Sequence, residues 1–194
     1  MPEIMQLGRA EVQEGLRDQD LRITKIIHIA TMAGPLVFLA VVIFLKSMPQ
    51  ALEGIGASAG LGPDMGFVLL QVTGVVSLAC IVAAVVVPNF LLKPQILAKR
   101  LEAASSPVAH MVALHRTIDI IRLAILEGAA LFGLVVLLLA VMGGYLDDNP
   151  VFWFGLGPLV VLVLVGLVTF PSRSYMSTFV LDKMIQPARR YLGS

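Results

Sequence analysis

The sequence predicts an all-α membrane protein with four transmembrane helices, built as a duplicated two-helix hairpin with both ends in the cytoplasm. Three observations lead to this fold class: an apolar composition, four long apolar segments, and basic residues that fall almost entirely on one side of them. Of the 194 residues, 58% are hydrophobic and 14% are charged, whereas about a quarter of the residues in a soluble domain are charged. The composition therefore indicates a chain whose main partner is the lipid bilayer.

Four apolar segments are long enough to cross a bilayer, at residues 23–45, 66–87, 118–142 and 151–170. A hydrocarbon core of roughly 30 Å requires about 20 apolar helical residues. Hydrocarbon offers peptide groups no hydrogen bonds, so each segment is expected to be a helix. The chain then divides into a cytoplasmic N-terminal segment (1–21), a first hairpin (22–92), a cytoplasmic connector (93–115), and a second hairpin with a cytoplasmic C-terminal helix (116–194).

The basic residues predict the orientation of the chain. Thirteen of the fourteen lysines and arginines lie before or at the start of the first segment, between the second and the start of the third, or after the fourth, and Lys46 is the exception. Because positive residues stay on the cytoplasmic side, both termini are expected in the cytoplasm of a multi-pass protein of the cytoplasmic (inner) membrane.

The first and third segments align without gaps at an offset of 94 residues. Residues 21–45 and 115–139 share nine identities in 25 positions, including the pairs Arg22/Arg116 and Gly34/Gly128. This similarity predicts a duplicated hairpin. Each copy contains two spans, so the copies would share one orientation and be related by an axis along the membrane normal.

Composition and motifs argue against several functions. The net charge of +1 and the lack of a basic patch outside the membrane flanks do not favour nucleic-acid binding. Cys80 is the only cysteine, and His110 and His115 lack further ligands nearby in sequence, so no metal site is predicted. No catalytic or nucleotide-binding pattern occurs, and we expect neither an enzyme nor a bound cofactor.

Glu127 is the main candidate for chemistry. It is the only carboxylate well inside an apolar segment, roughly 7 Å beyond Arg122 at 1.5 Å per residue. A charge at such a depth costs a few kcal/mol, so the carboxyl group must be protonated, paired or facing a polar cavity. It either binds H⁺ or Na⁺, or has a structural role by pairing with a neighbouring helix or a basic residue.

Other polar residues lie near the cytoplasmic ends of the first and third segments. Lys25 and Asp119 occupy equivalent positions in the two repeats and are predicted to form a salt bridge between them. His28 and Arg122 are equivalent in the same way. They are expected either to extend toward the lipid headgroups or to open a proton path to Glu127.

Residues 124–136, Ala-Ile-Leu-Glu-Gly-Ala-Ala-Leu-Phe-Gly-Leu-Val-Val, resemble the carboxylate-bearing helix of the proteolipid c subunit of rotary ATPases. The resemblance implies that Glu127 binds the translocated ion and that Gly128 and Gly133 allow close helix packing. It covers 13 of the 194 residues, and the order of the helices is permuted relative to duplicated members of that family.

These observations leave three hypotheses. The chain is a structural or accessory subunit of a larger or self-associated membrane assembly, because four helices with few polar groups leave little interior for a substrate pathway. Alternatively, it is a proteolipid-like subunit of an ion-translocating ring that uses Glu127, or a small stand-alone transporter or sensor. The first two predict other membrane subunits, or further copies of the chain, as partners.

Overall fold

The computed structural model describes residues 8–48, 63–102, 104 and 106–192, and every regular element within these ranges is helical. The α-helices in chain order are α1 (Arg9–Gly15), α2 (Asp18–Lys46), α3 (Pro63–Leu91), α4 (Pro94–Glu102), α5 (Pro107–Met142), α6 (Gly157–Val168), α7 (Arg173–Phe179) and α8 (Gln186–Leu192). A 3₁₀ helix (Pro150–Leu156) precedes α6, and a π-helix (Val180–Ile185) joins α7 to α8.

Four helical segments are long and apolar enough to cross a membrane: α2, α3, α5, and the 3₁₀ helix continued by α6. The prediction of an all-α chain with four such helices is therefore confirmed. Their bounds differ from the apolar segments, since α3 continues through Pro88 to Leu91 and α5 begins at Pro107, well before residue 118. A proline at the first helical position requires no hydrogen bond for its missing N–H, which suits the starts of α3, α4 and α5.

The chain divides into two compact units. The connector unit comprises Met1–His28, Val85–Arg122 and Thr169–Ser194, and the span unit comprises Ile29–Ala84 and Leu123–Val168. Each unit has its own cluster of buried apolar side chains.

The core of the connector unit is formed by the short helices together with the first turns of α5. Val12 and Leu16, from the N-terminal segment, are 0% and 4% exposed and join a buried cluster with Leu97, Met111 and Met184. Residues 1–21 were predicted only as a cytoplasmic segment, but Val12 of α1 and Leu16, which directly follows α1, pack into this core.

The span unit is organised around α5. Half of the most apolar stretch of α5 is buried, compared with 17% for α2 and for α3. Lys46, at the end of α2, forms a 2.6 Å ion pair with Asp147 and lies 5.3 Å from the centre of the Trp153 ring. The single basic residue outside the predicted cytoplasmic set is thus neutralised by a carboxylate.

Two glycines bring α5 and the 3₁₀ helix into direct backbone contact. A Cβ atom on Gly133 would collide with the carbonyl oxygen of Gly155, and a Cβ atom on Gly155 would lie 2.8 Å from the carbonyl oxygen of Gly133. Because the obstacle on each side is backbone, no side-chain rearrangement can relieve the overlap. Gly128 differs, since a Cβ atom there would meet nothing within 4 Å.

We expect Gly133→Ala to destabilise the protein by about 1–3 kcal/mol, the usual cost of over-packing a core. Gly128→Ala is the matched control on the same helix, and it should leave stability unchanged or raise it slightly because alanine favours helix. Thermal unfolding in mild detergent, followed by circular dichroism, measures both. Equal midpoints for the two variants would contradict the packing described at Gly133.

Candidate functional site

A group of polar side chains is buried in the connector unit. It consists of His28 from α2 and of His115, Asp119 and Arg122 from α5. His28 and His115 are completely buried, and Asp119 is 2% exposed. The spacing of four and three residues along α5 places its three side chains on one face of the helix.

Asp119 is the centre of this group. Its Oδ1 atom accepts a hydrogen bond from Nη2 of Arg122 at 2.8 Å, and its Oδ2 atom lies 3.4 Å from Nε2 of His115. The guanidinium of Arg122 is also within electrostatic range of Tyr175 and of His28. Asp119 and Arg122 therefore compensate each other's charge inside the fold.

Aromatic rings cover the two imidazoles. The ring of His115 stacks on that of Phe179 with centroids 4.5 Å apart and an interplanar angle of 20°. The ring of Phe170 meets His28 edge-on, with centroids 6.2 Å apart. Burial raises the pKa of the Tyr175 hydroxyl, and the nearby charge of Asp119 acts in the same direction. Tyr175 therefore keeps its proton near neutral pH and can both donate and accept a hydrogen bond.

Several buried polar atoms in this group have unused hydrogen-bonding capacity. Nδ1 of His28 lies 3.1 Å from the Thr24 carbonyl oxygen. Among the described residues, no hydrogen-bond partner is found for Nδ1 of His115 or for Nε of Arg122. Nε2 of His115 and Oδ2 of Asp119 lie 3.4 Å apart without the geometry of a hydrogen bond. Leaving such buried groups unpaired is costly. No cluster of three potential metal ligands occurs in the described ranges.

The sequence assigned Asp119 a different partner. Lys25, the predicted partner, is partly exposed on α2, and the ion pairs between described side chains do not include it. Asp119 instead pairs with Arg122 and lies close to His115. The reason is local, because residues three and four positions apart on a helix are neighbours. That spacing was readable from the sequence, whereas the contacts with Tyr175 and Phe179 come from packing between distant segments.

Glu127 lies in the span unit, on α5. Its Oε1 atom is 3.4 Å from the position that a Cβ atom of Gly34 would occupy on α2, so its side chain uses the space left by that glycine. The side chain is partly exposed, and no hydrogen bond or ion pair joins it to another residue in the part of the chain that the structure describes. His28 and Arg122 belong to the other unit, and a proton path from them to Glu127 stays a prediction.

The two glycines that follow Glu127 in the sequence motif, Gly128 and Gly133, have different surroundings. Gly128 is exposed with open space around it, whereas Gly133 is buried against Gly155. Of these two glycines, only Gly133 packs closely against another described segment of the chain.

Comparison with known proteins supplies no family. No family model, curated protein or solved structure matches the chain. The short resemblance of residues 124–136 to the proteolipid c subunit accordingly stays a prediction.

Two Arg–Asp pairs of similar length provide a test of the buried group. Arg122→Met should destabilise the protein by about 3 kcal/mol, because it leaves Asp119 as an uncompensated buried charge. Arg173→Met removes the 2.6 Å pair with Asp18, which is exposed and should cost about 0–1 kcal/mol. Thermal or denaturant unfolding in detergent measures both.

The double variant Asp119→Leu/Arg122→Met serves as the control, and it should recover most of the stability lost in Arg122→Met, since no lone charge remains. If Arg122→Met and Arg173→Met cost the same, the buried pair does not have the role assigned to it.

Proposed function

We propose that this small polytopic membrane protein is a structural or accessory subunit of a larger or self-associated membrane assembly, and that α5 contacts the partner around Glu127. The observation that carries the proposal is the partly exposed side chain of Glu127, for which the ion pairs between described side chains supply no partner.

The surroundings of Glu127 form an open surface on α5. Ala124, Gly128 and Val135 are exposed, and Leu131 between them is partly exposed. We call these four residues the open face of α5. They follow each other at intervals of three and four positions, so they lie along one side of the helix. Glu127 directly precedes Gly128 and borders this surface.

Lipid cannot satisfy the carboxyl group of Glu127. A charged carboxylate within hydrocarbon costs a few kcal/mol, and polar residues inside membranes usually face other protein. A neighbouring helix could supply a hydrogen-bond donor, a contact worth about 0.6–2 kcal/mol in membranes. An assembled state thus removes an energetic cost that the isolated chain would bear.

The small residues on the open face favour the same conclusion. Alanine and glycine four positions apart, as at Ala124 and Gly128, allow the backbones of two membrane helices to approach closely. No described residue of the chain lies within 4 Å of the position that a Cβ atom of Gly128 would occupy. The gap at Gly128 is therefore available to a helix from another subunit.

A second candidate function follows from the same carboxyl group. An accessible carboxyl group inside a span, beside a glycine with open surroundings, is also suited to binding and releasing H⁺ or Na⁺ in a proteolipid-like ring. In that case Glu127 must exchange protons or ions, whereas in a structural subunit it needs only a stable partner.

Substitutions on the open face test the proposal. Gly128→Leu should fill the space reserved for the partner helix and weaken association at least tenfold, which corresponds to about 1.4 kcal/mol. Gly74→Leu is the matched control, because Gly74 is an equally open glycine in α3 away from Glu127 in sequence. Glu127→Leu should weaken association similarly, while Glu127→Gln, which can still hydrogen-bond, should keep more of it.

Native mass spectrometry of the protein purified from membranes measures these effects as the fraction of assembled particles. If Gly74→Leu and Gly128→Leu lower this fraction equally, or if Glu127→Leu leaves it unchanged, the proposed contact surface is wrong.

The number of copies in the assembled particles distinguishes the two candidate functions. Many identical copies, together with carbodiimide modification of Glu127 near neutral pH, would favour the ion-translocating ring; few copies and an unmodified Glu127 favour the structural subunit.

A further inference from the structure

We propose that the connector unit binds the headgroup of an anionic phospholipid in a groove between α4 and the start of α5. The groove has a volume of about 600 Å³ and is lined by Gln95, Ile96, Lys99, Arg100 and His110. This inference concerns a different part of the chain from the proposed assembly surface and does not depend on it.

The two faces of α4 explain how the groove is formed. Leu97, Ala98 and Leu101 are at most 2% exposed and pack into the core of the connector unit. Gln95, Lys99 and Arg100 are exposed on the remaining surface of the helix. Because the buried face fixes the orientation of α4, the two cationic side chains are held beside the groove.

The positive charges of the groove are not used within the described structure. Arg116, Arg122 and Arg173 form ion pairs with aspartates, but none of the ion pairs between described side chains involves Lys99 or Arg100. These two residues contribute two positive charges, and His110 adds a third nitrogen-bearing side chain. Such a group is complementary to a phosphate carrying one negative charge.

The location and lining of the groove favour a lipid as the source of the phosphate. Leu91 ends α3, and α4 begins only three residues later at Pro94, so the groove adjoins the end of an apolar span. At this junction, Nζ of Lys93 lies 4.5 Å from the centre of the Phe90 ring. Basic pockets beside membrane helices are typical sites for anionic lipid headgroups.

The apolar part of the lining separates a lipid from a soluble anion. Ile96 is partly exposed in the groove, and the methylene groups of Lys99 and Arg100 extend the apolar surface. A free phosphate ion has no apolar atoms that could contact this surface, whereas the glycerol and upper acyl carbons of a phospholipid can cover it.

Lipid titration of the intact protein tests the proposal. Native mass spectrometry in detergent would measure binding of phosphatidylglycerol and of zwitterionic phosphatidylcholine to the wild type and to Lys99→Gln/Arg100→Gln. We expect the wild type to prefer phosphatidylglycerol and the double variant to bind it at least tenfold more weakly. The control Arg22→Gln/Lys183→Gln removes the same charge at two exposed residues outside the groove lining and should change the affinity less than twofold.

A second variant tests the apolar lining. Ile96→Ser should weaken binding of phosphatidylglycerol while leaving the thermal midpoint within a few degrees of the wild type, since Ile96 is not part of the buried core. Three results would each overturn the proposal. They are an equal loss of phosphatidylglycerol affinity in Lys99→Gln/Arg100→Gln and in the control Arg22→Gln/Lys183→Gln, equal binding of both lipids by the wild type, and full displacement of phosphatidylglycerol by millimolar inorganic phosphate.

Discussion

A peptide group inside hydrocarbon finds no water to bond with, and this constraint governs most of the structure. Four long segments satisfy their backbone groups by coiling into helices. Prolines are placed at the first position of α3, α4 and α5, where a missing N–H is harmless. Pro35 in α2 and Pro88 in α3 are the prolines inside these two helices. Because most backbone groups are bonded within their own helix, packing between helices depends on shape, and the Gly133–Gly155 contact shows how closely two backbones then approach.

The same constraint separates the polar side chains into those with and those without a partner. Asp119 is buried, and it obtains a cation three residues away on its own helix. Lys46 is likewise neutralised, by Asp147. Glu127 differs from both because no described residue pairs with it, although it lies between apolar neighbours on α5. This carboxyl group, unmatched among the described residues, is the basis of the proposed assembly.

The sequence predicts the parts of the fold that depend on length and hydropathy alone. Four apolar runs are sufficient to predict the four long helices, because both quantities are local. Hydropathy does not predict that α5 begins at Pro107, because its first turns also contain polar residues. The burial of Val12 depends on packing against distant segments and has no local signal. In the candidate site, Lys25 was predicted as the ion-pair partner of Asp119 because the two residues are equivalent in the repeat. That prediction overlooked Arg122, which is only three positions from Asp119 on the same helix. The stacking of Phe179 on His115 joins residues far apart in sequence and has no local signal.

The central claim, that these four helices each cross a bilayer, is tested most directly by labelling single cysteines in sealed vesicles of known orientation. With Cys80 replaced by alanine, cysteines are placed at four exposed positions, Glu14, Asp64, Asp147 and Lys183, and treated with a membrane-impermeant maleimide. The account predicts that positions 64 and 147 react from one side of the membrane and positions 14 and 183 from the other. Reaction of positions 14 and 64 from the same side would contradict it.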